Sequence, residues 1–188
     1  GARAGGARII ENVAVTRIVV ENDRAVGVEY TADGATGVLR ADAVVNAAGM
    51  WSRELGDQIG VTVPLHAAEH FYIVTEGIEG ISPDMPVLRD PDGCGYFKEE
   101  AGKLMVGWFE PVAKPWGMSG IPEAFCFDSL PADYDHIAPL VDAAVHRMPI
   151  LGESGIRLFF NGPESFTPDD RYLLGETPEV TGLYLACG

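Results

Sequence analysis

Apolar and polar positions alternate along most of this chain, and one stretch carries a helical period. NVAVTRIVVEN (12–22) alternates and is rich in valine and isoleucine, and AVGVEYT (25–31) repeats the alternation. With Asn22-Asp23 between them, the pattern predicts a β-hairpin over residues 9–31. A turn at Asp33-Gly34 leads into TGVLRADAVVNAAG (36–49), read as one further strand that ends in small residues. Ser52 to Ile59 predicts a short helix, with Ser52 as its N-cap and Gly60 as its stop. His70 to Thr75 is aromatic and β-branched, which predicts a strand. VLRD (87–90), GYFKEE (95–100) and KLMVGWFE (103–110) predict three short strands, with turns at Asp92-Gly93 and Ala101-Gly102. These make an antiparallel meander.

Tyr134, Ile137, Val141, Ala144, Val145 and Met148 fall on one stripe, which predicts a helix over 133–148 ended by Pro149. Pro139 is expected at its first turn or at a kink. GIRLFFNG (155–162) reads as a strand, NGPESFTPDDRYLLGE (161–176) as a loop with a short strand, and LYLACG (183–188) as a final strand. Strands mixed with a few helices point to an α+β or α/β fold.

Composition bounds the rest. The 188 residues suffice for one large domain or two lobes, and 47% apolar with 22% charged residues is globular. A net charge of −15 disfavours nucleic acid and anionic membranes as partners. No apolar run approaches the ~18 residues of a membrane span. Three scattered cysteines, without a CxxC pair, argue against a thiolate metal cluster and for reduced thiols in a cytoplasmic-type compartment. His66 and His70 are four apart, but on a strand that spacing does not converge on a metal, so no metal is expected. The opening GARAGG and the closing LYLACG read as cuts in a longer chain.

The stretch VVNAAGMWSRELG (44–56) bears most on function: an apolar strand runs into Asn46-Ala47-Ala48-Gly49. Small residues there let backbone touch a ligand, and open α/β sheets bind nucleotides at the carboxyl ends of their strands. The turn reads as part of a flavin nucleotide site; an ordinary strand-to-helix connection is the competing reading.

Together with PLHAAEHFYIVTE (64–76), PVLRDPDGCGYFKEE (86–100), NGPESFTPDDRYLLGE (161–176) and GLYLACG (182–188), this stretch resembles the flavin-dependent amine oxidoreductases of the dimethylglycine and sarcosine dehydrogenase group, within the D-amino-acid-oxidase-like family. The resemblance runs nearly the whole chain, in order. It implies a Rossmann-like FAD-binding domain over 1–62, an antiparallel-sheet substrate domain over 63–160, and a return to the FAD domain over 161–188. The family's GxGxxG fingerprint is absent: Gly1-Ala2-Arg3-Ala4-Gly5-Gly6 precedes a hairpin rather than a helix. It would lie upstream, and the glycine-rich segment after LYLACG downstream, so the fragment alone is expected to hold FAD poorly.

Residue by residue, the resemblance implies FAD contacts at Val15, Ala48, Gly49, Trp51 and Gly188, with Val15 as a plain strand residue and Trp51 as a core aromatic the competing readings. It places His70 and Tyr96 against the flavin ring as the catalytic pair. A neutral imidazole takes a proton from, or steers, an amine, and a phenol holds the amine or its carboxylate. A core histidine and a sheet aromatic are the competing readings. Arg89 is a candidate for the substrate carboxylate, against an ion pair with Asp90 or Asp92. Trp108 and Phe109 wall the pocket or pack the sheet, and 169–171 form a surface turn bordering the cofactor. The implied reaction is FAD-dependent oxidative demethylation of an N-methylglycine-type amine. An electron-acceptor protein or a folate would act through regions outside this sequence. Another oxidase of the family, or a binding module without FAD, is the rival.

Overall fold

The computed structural model describes all 188 residues, which divide into two units: residues 1–65 with 165–188, and residues 66–164.

In the first unit, β1 (Ala14–Glu21), β2 (Arg24–Ala32) and β3 (Ala35–Arg40) form an antiparallel sheet in chain order. Both hairpins close on two residues with positive φ, Asn22-Asp23 and Asp33-Gly34. Such turns match the twist of the strands they join, so the polar dipeptides set the register. The stretch expected as one strand, 36–49, is broken. β3 ends at Arg40, and the chain crosses residues 41–43 to β4 (Val44–Asn46) in a different sheet. The crossing is pinned: the Ala41 N–H donates to the Val26 carbonyl at 3.0 Å, and Arg24 Nη2 donates to the Asp42 carbonyl at 3.0 Å. Apolar residues on both sides of the crossing hid it in the sequence.

After β4 come a 3-10 turn over Gly49–Trp51 and a short helix, α1 (Ser52–Asp57). Ser52 is the first helical residue rather than the cap; Trp51 holds the cap position, with no side-chain capping bond.

The second unit is built on β5 (His66–Thr75), β6 (Leu88–Asp90), β7 (Gly95–Glu99), β8 (Leu104–Trp108) and the helix α2 (Tyr134–Arg147). It also takes most of β9 (Ile156–Phe166). The strands make one sheet in the order β6-β7-β8-β5-β9. Ala101-Gly102, both at positive φ, close the β7–β8 hairpin. In the β6–β7 loop the left-handed position falls on Cys94 rather than on Gly93. The side chain of Asp133 caps α2 by accepting from the His136 N–H at 3.0 Å. Pro139 lies inside the helix, past the first turn. β9 runs through 161–166, expected as loop, because Pro163 is accommodated within the strand.

The chain returns to the first unit through β10 (Leu173–Glu176) and β11 (Leu183–Cys187). β11 pairs with β10 antiparallel and with β4 parallel. The fold is thus mixed α and β, with antiparallel sheets and one parallel pair.

Each unit has its own core. Ile18, Ala25, Val61, Val63, Leu65, Val180, Leu183 and Cys187 are buried together in the first. In the second, Phe71, Ile73, Phe97, Leu104, Val106 and Trp108 pack with Ile137 and Ala144 of α2. No helix is long and apolar enough to cross a membrane. Replacing a fully buried ring should leave a cavity that neighbours only partly fill: Phe71→Ala is expected to cost about 3–5 kcal/mol, read as the shift of the urea midpoint.

Candidate functional site

The parallel pair brings two ends together in the first unit. Leu185 pairs with Asn46, so the turn Ala47-Ala48-Gly49 lies at the same end of the sheet as the end of β11, where Ala186 and Cys187 still pair with β10 and Gly188 follows. Asn46, buried, ties the turn: its Nδ2 donates to the Ser52 carbonyl at 3.0 Å, and its Oδ1 accepts from the Ala48 N–H at 3.3 Å. Gly49 takes φ +56, and nothing lies within 4 Å of where a Cβ would stand. Ser52 Oγ, on the first residue of α1 after the turn, is buried without a hydrogen-bond partner. Trp51 is 39% exposed, outside the buried core. Gly188, at φ +102, packs against Thr167 and Tyr172, flanking the surface turn of Asp169-Asp170-Arg171. Val15 stands apart, half exposed on β1 in the other sheet. Open space beside the bulk-free main-chain turn at Gly49, followed at once by an unpartnered buried hydroxyl, fits a nucleotide cofactor lying on backbone.

In the second unit, strand alternation separates two faces. The odd-numbered residues Phe71 and Ile73 of β5, and Phe97 of β7, face α2. Their even-numbered neighbours face the other way. Register places Tyr72, Gly107, Tyr96 and Arg89 in one row across β5, β8, β7 and β6. The phenol ring of Tyr96 lies directly over Gly107, where any side chain would collide with it. His70 is two residues before Tyr72 on the same face, and its ring centroid is 4.9 Å from that of Phe109. The Tyr96 ring is 5.8 Å from Phe109, and the Arg89 guanidinium lies 4.6 Å above the Phe109 ring. Tyr72 stacks on Phe160 at 4.7 Å. His70, Tyr96 and Arg89 are therefore gathered around one ring.

The two readings of Trp108 and Phe109 divide between the residues. Trp108 is fully buried and donates from Nε1 to the Leu140 carbonyl on α2 at 3.1 Å, whereas Phe109 is 43% exposed on the opposite face. The ion pair weighed for Arg89 does not form. Asp90 is held instead by Arg147 of α2, with Nε to Oδ2 at 2.8 Å. Arg89 is left as a cation stacked on an aromatic ring.

The electrostatics of this face are specific. His70 Nε2 is 3.7 Å from Glu164 Oε2, a partner the sequence did not mark. Burial pushes the Tyr96 phenol above its ordinary value; the carboxylate of Glu164 and the neighbouring Tyr72 add to the rise, and Arg89 opposes it. Tyr96 thus stays a hydrogen-bond donor throughout the neutral range. The Arg147 guanidinium, with the Gly93 N–H, holds the Asp90 carboxyl below the usual carboxylate range. This pair fastens the β6–β7 loop, and with it Arg89, to the last turn of α2.

A profile of the family described as FAD dependent oxidoreductase matches residues 1–188. Among curated relatives, 4-methylaminobutanoate oxidase (formaldehyde-forming) of Paenarthrobacter nicotinovorans is 40% identical over 183 residues, 97% of this chain and 22% of that protein. Mitochondrial sarcosine dehydrogenase of Mus musculus is 42% identical over 187 residues, 98% of this chain and 20% of that protein. The chain therefore spans about a fifth of the length of these relatives. Among solved structures, L-proline dehydrogenase from P. horikoshii superposes with a TM-score of 0.77 at 21% identity, over the whole of this chain and 46% of that one.

Asp90 gives a pH test. Because its folded-state carboxyl is the more acidic, the stabilisation by Arg147 is present above the unfolded-state value near ~3.9 and is lost as pH falls through the lower folded value. Arg147→Met is expected to lower the melting temperature at pH 7 relative to the parent, with the difference shrinking as acid takes the pH down through the lowered Asp90 value. Melting curves across pH check this.

Proposed function

The chain belongs to the FAD dependent oxidoreductase family, and from that premise we propose that it oxidises an N-methylglycine-type amine, sarcosine or dimethylglycine, with FAD as the hydride acceptor. The observation that carries this reading is the convergence of His70, Tyr96 and Arg89 on the ring of Phe109. An imidazole, a phenol kept protonated and a guanidinium are the groups an amino acid with a secondary or tertiary amine would need. The two curated relatives named above carry names for the oxidation of N-methylated amines.

In this reading the first unit holds FAD through Ala48, Gly49, Trp51 and Gly188, with Val15 as a further contact. When bound, FAD supplies the two-electron acceptor that side chains lack. The second unit supplies the residues that bind and orient the amine. An alkylamine with a pKa near ~10 is mostly protonated at neutral pH, and loss of hydride from the adjacent carbon needs a free lone pair. His70 accepts that proton at Nε2, and Glu164, 3.7 Å away, stabilises the imidazolium so formed. The Tyr96 hydroxyl donates to the amine or its carboxylate, and burial keeps it protonated for that role. Arg89 pairs with the carboxylate; Phe109 holds the guanidinium flat until substrate arrives. Hydrolysis of the resulting iminium gives the demethylated amine and formaldehyde. An electron-acceptor protein or a folate would act through parts of a longer protein. The free thiols Cys94, Cys126 and Cys187 support a reducing compartment, and the cytoplasm is the one we propose.

His70→Ala in the FAD-loaded enzyme is expected to slow flavin bleaching by sarcosine or dimethylglycine by roughly 10²-fold or more, the typical worth of a positioned acid–base group. Stopped-flow rates within twofold of the parent would remove His70 from the mechanism. A protein that neither binds FAD nor bleaches would favour a non-catalytic module, and bleaching by glycine, a proline-like acid or glycerol phosphate alone would favour another oxidase of the family.

A further inference from the structure

Phe109 is the ring that His70, Tyr96 and Arg89 share, yet it lies just past the end of β8, where strand pairing no longer fixes it. Its own backbone is held by one bond, from its N–H to the Cys94 carbonyl at 2.8 Å. The residues on either side reach the opposite way, to α2. Trp108 donates to the Leu140 carbonyl, and Glu110 Oε1 stands 3.6 Å from His136 Nε2, four residues earlier on the same helix. The helix thus grips the strand end at two points one turn apart, with Phe109 between them on the far face.

The Glu110–His136 contact is unusual. Both facing atoms are buried and neither has a hydrogen-bond partner. Two such atoms are costly unless something joins them. A proton on the imidazole turns the facing pair into a charge-assisted hydrogen bond, which draws the two atoms together from 3.6 Å by about 0.7–0.9 Å. The other charged groups in this corner are already engaged. Lys114 bridges Asp133 at 2.8 Å and Glu69 at 3.4 Å, Glu69 also accepts from Asn161, and Asp133 caps the helix. Phe71 from β5 walls the imidazole with its ring at 5.2 Å. Glu110 is the one carboxylate facing His136 Nε2 within ion-pair distance.

We propose that Glu110 and His136 are a positioning pair: the proton between them fixes the strand end and so holds Phe109 within the ring cluster. The functional meaning of that cluster rests on the reading above, but the coupling across the sheet does not, so the test needs neither cofactor nor amine. A 4-fluorophenylalanine is placed at position 109 of the full chain, and its fluorine resonance is followed between about pH 5 and pH 8, where imidazoles titrate. The resonance is expected to move through a titration in the parent. His70 stands nearest the probe, so the comparison is made with His70→Gln in place: there the titration should persist with the pair intact and be lost in both Glu110→Gln and His136→Gln. Glu110→Gln keeps the shape of the side chain, and a far-UV spectrum matching the parent establishes that it folds. A resonance that does not titrate with His70→Gln in place, or one whose titration there survives both pair variants, would overturn the proposal. Neither result bears on the flavin-bleaching test of His70→Ala.

Discussion

The period of two along β5, β7 and β8 is the constraint on which the second unit depends. It sends Phe71, Ile73, Phe97, Val106 and Trp108 to one face, where α2 covers them, and His70, Tyr72 and Tyr96 to the other. Burying each of those core side chains is worth roughly 1.5–3 kcal/mol, so a slip of one residue in register would be prohibitive. The same packing that folds the unit therefore also fixes the opposite face. Gly107 adds a second constraint: without a side chain on β8, the Tyr96 ring is free to lie across the strand. Chemistry-bearing side chains on regular strands, backed by a rigid core, keep their geometry better than side chains on loops.

In the first unit the corresponding constraint is the parallel pairing of β4 with β11. It brings two distant stretches of small residues to one sheet end. Asn46 is the device that makes the corner definite, since one buried side chain bonds both the turn and the start of α1. Bulk removed at residues 47–49, with Gly188 at the same sheet end, leaves main chain accessible at the turn, the arrangement by which α/β sheets meet nucleotides.

Much of this was legible before any coordinates. The turn dipeptides Asn22-Asp23 and Asp33-Gly34 fixed two hairpins, because Asn, Asp and Gly tolerate positive φ, and Gly102 marked the third beside Ala101. The helical stripe from Tyr134 to Met148 found α2, and His70 and Tyr96 were visible as candidates. What was not legible depends on pairing between distant segments. The strand break at 41–43 is set by bonds to Arg24 and Val26, not by local composition. Ser52 looks like a cap in any local pattern, but the 3-10 turn before it shifts the helix start by one residue. Arg89 beside Asp90 reads as an ion pair until Arg147, 57 residues further on, takes the carboxylate. Phe109 was named as a pocket wall or a packing residue, but its place as the shared ring, like the contributions of Glu164 and Glu110, follows from register and from which face a strand residue takes past its last pair. No motif announces that.

The central claim is that the sheet face left uncovered by α2 is where the amine binds. Histidine-selective NMR tests it most directly, with FAD bound and reduced in advance so that no turnover occurs. On addition of sarcosine or dimethylglycine, the ring resonances of His70 are expected to shift saturably while those of His66, His136 and His146 stay in place. His70 resonances unmoved at saturating amine, or shifts spread equally over all four histidines, would contradict the account.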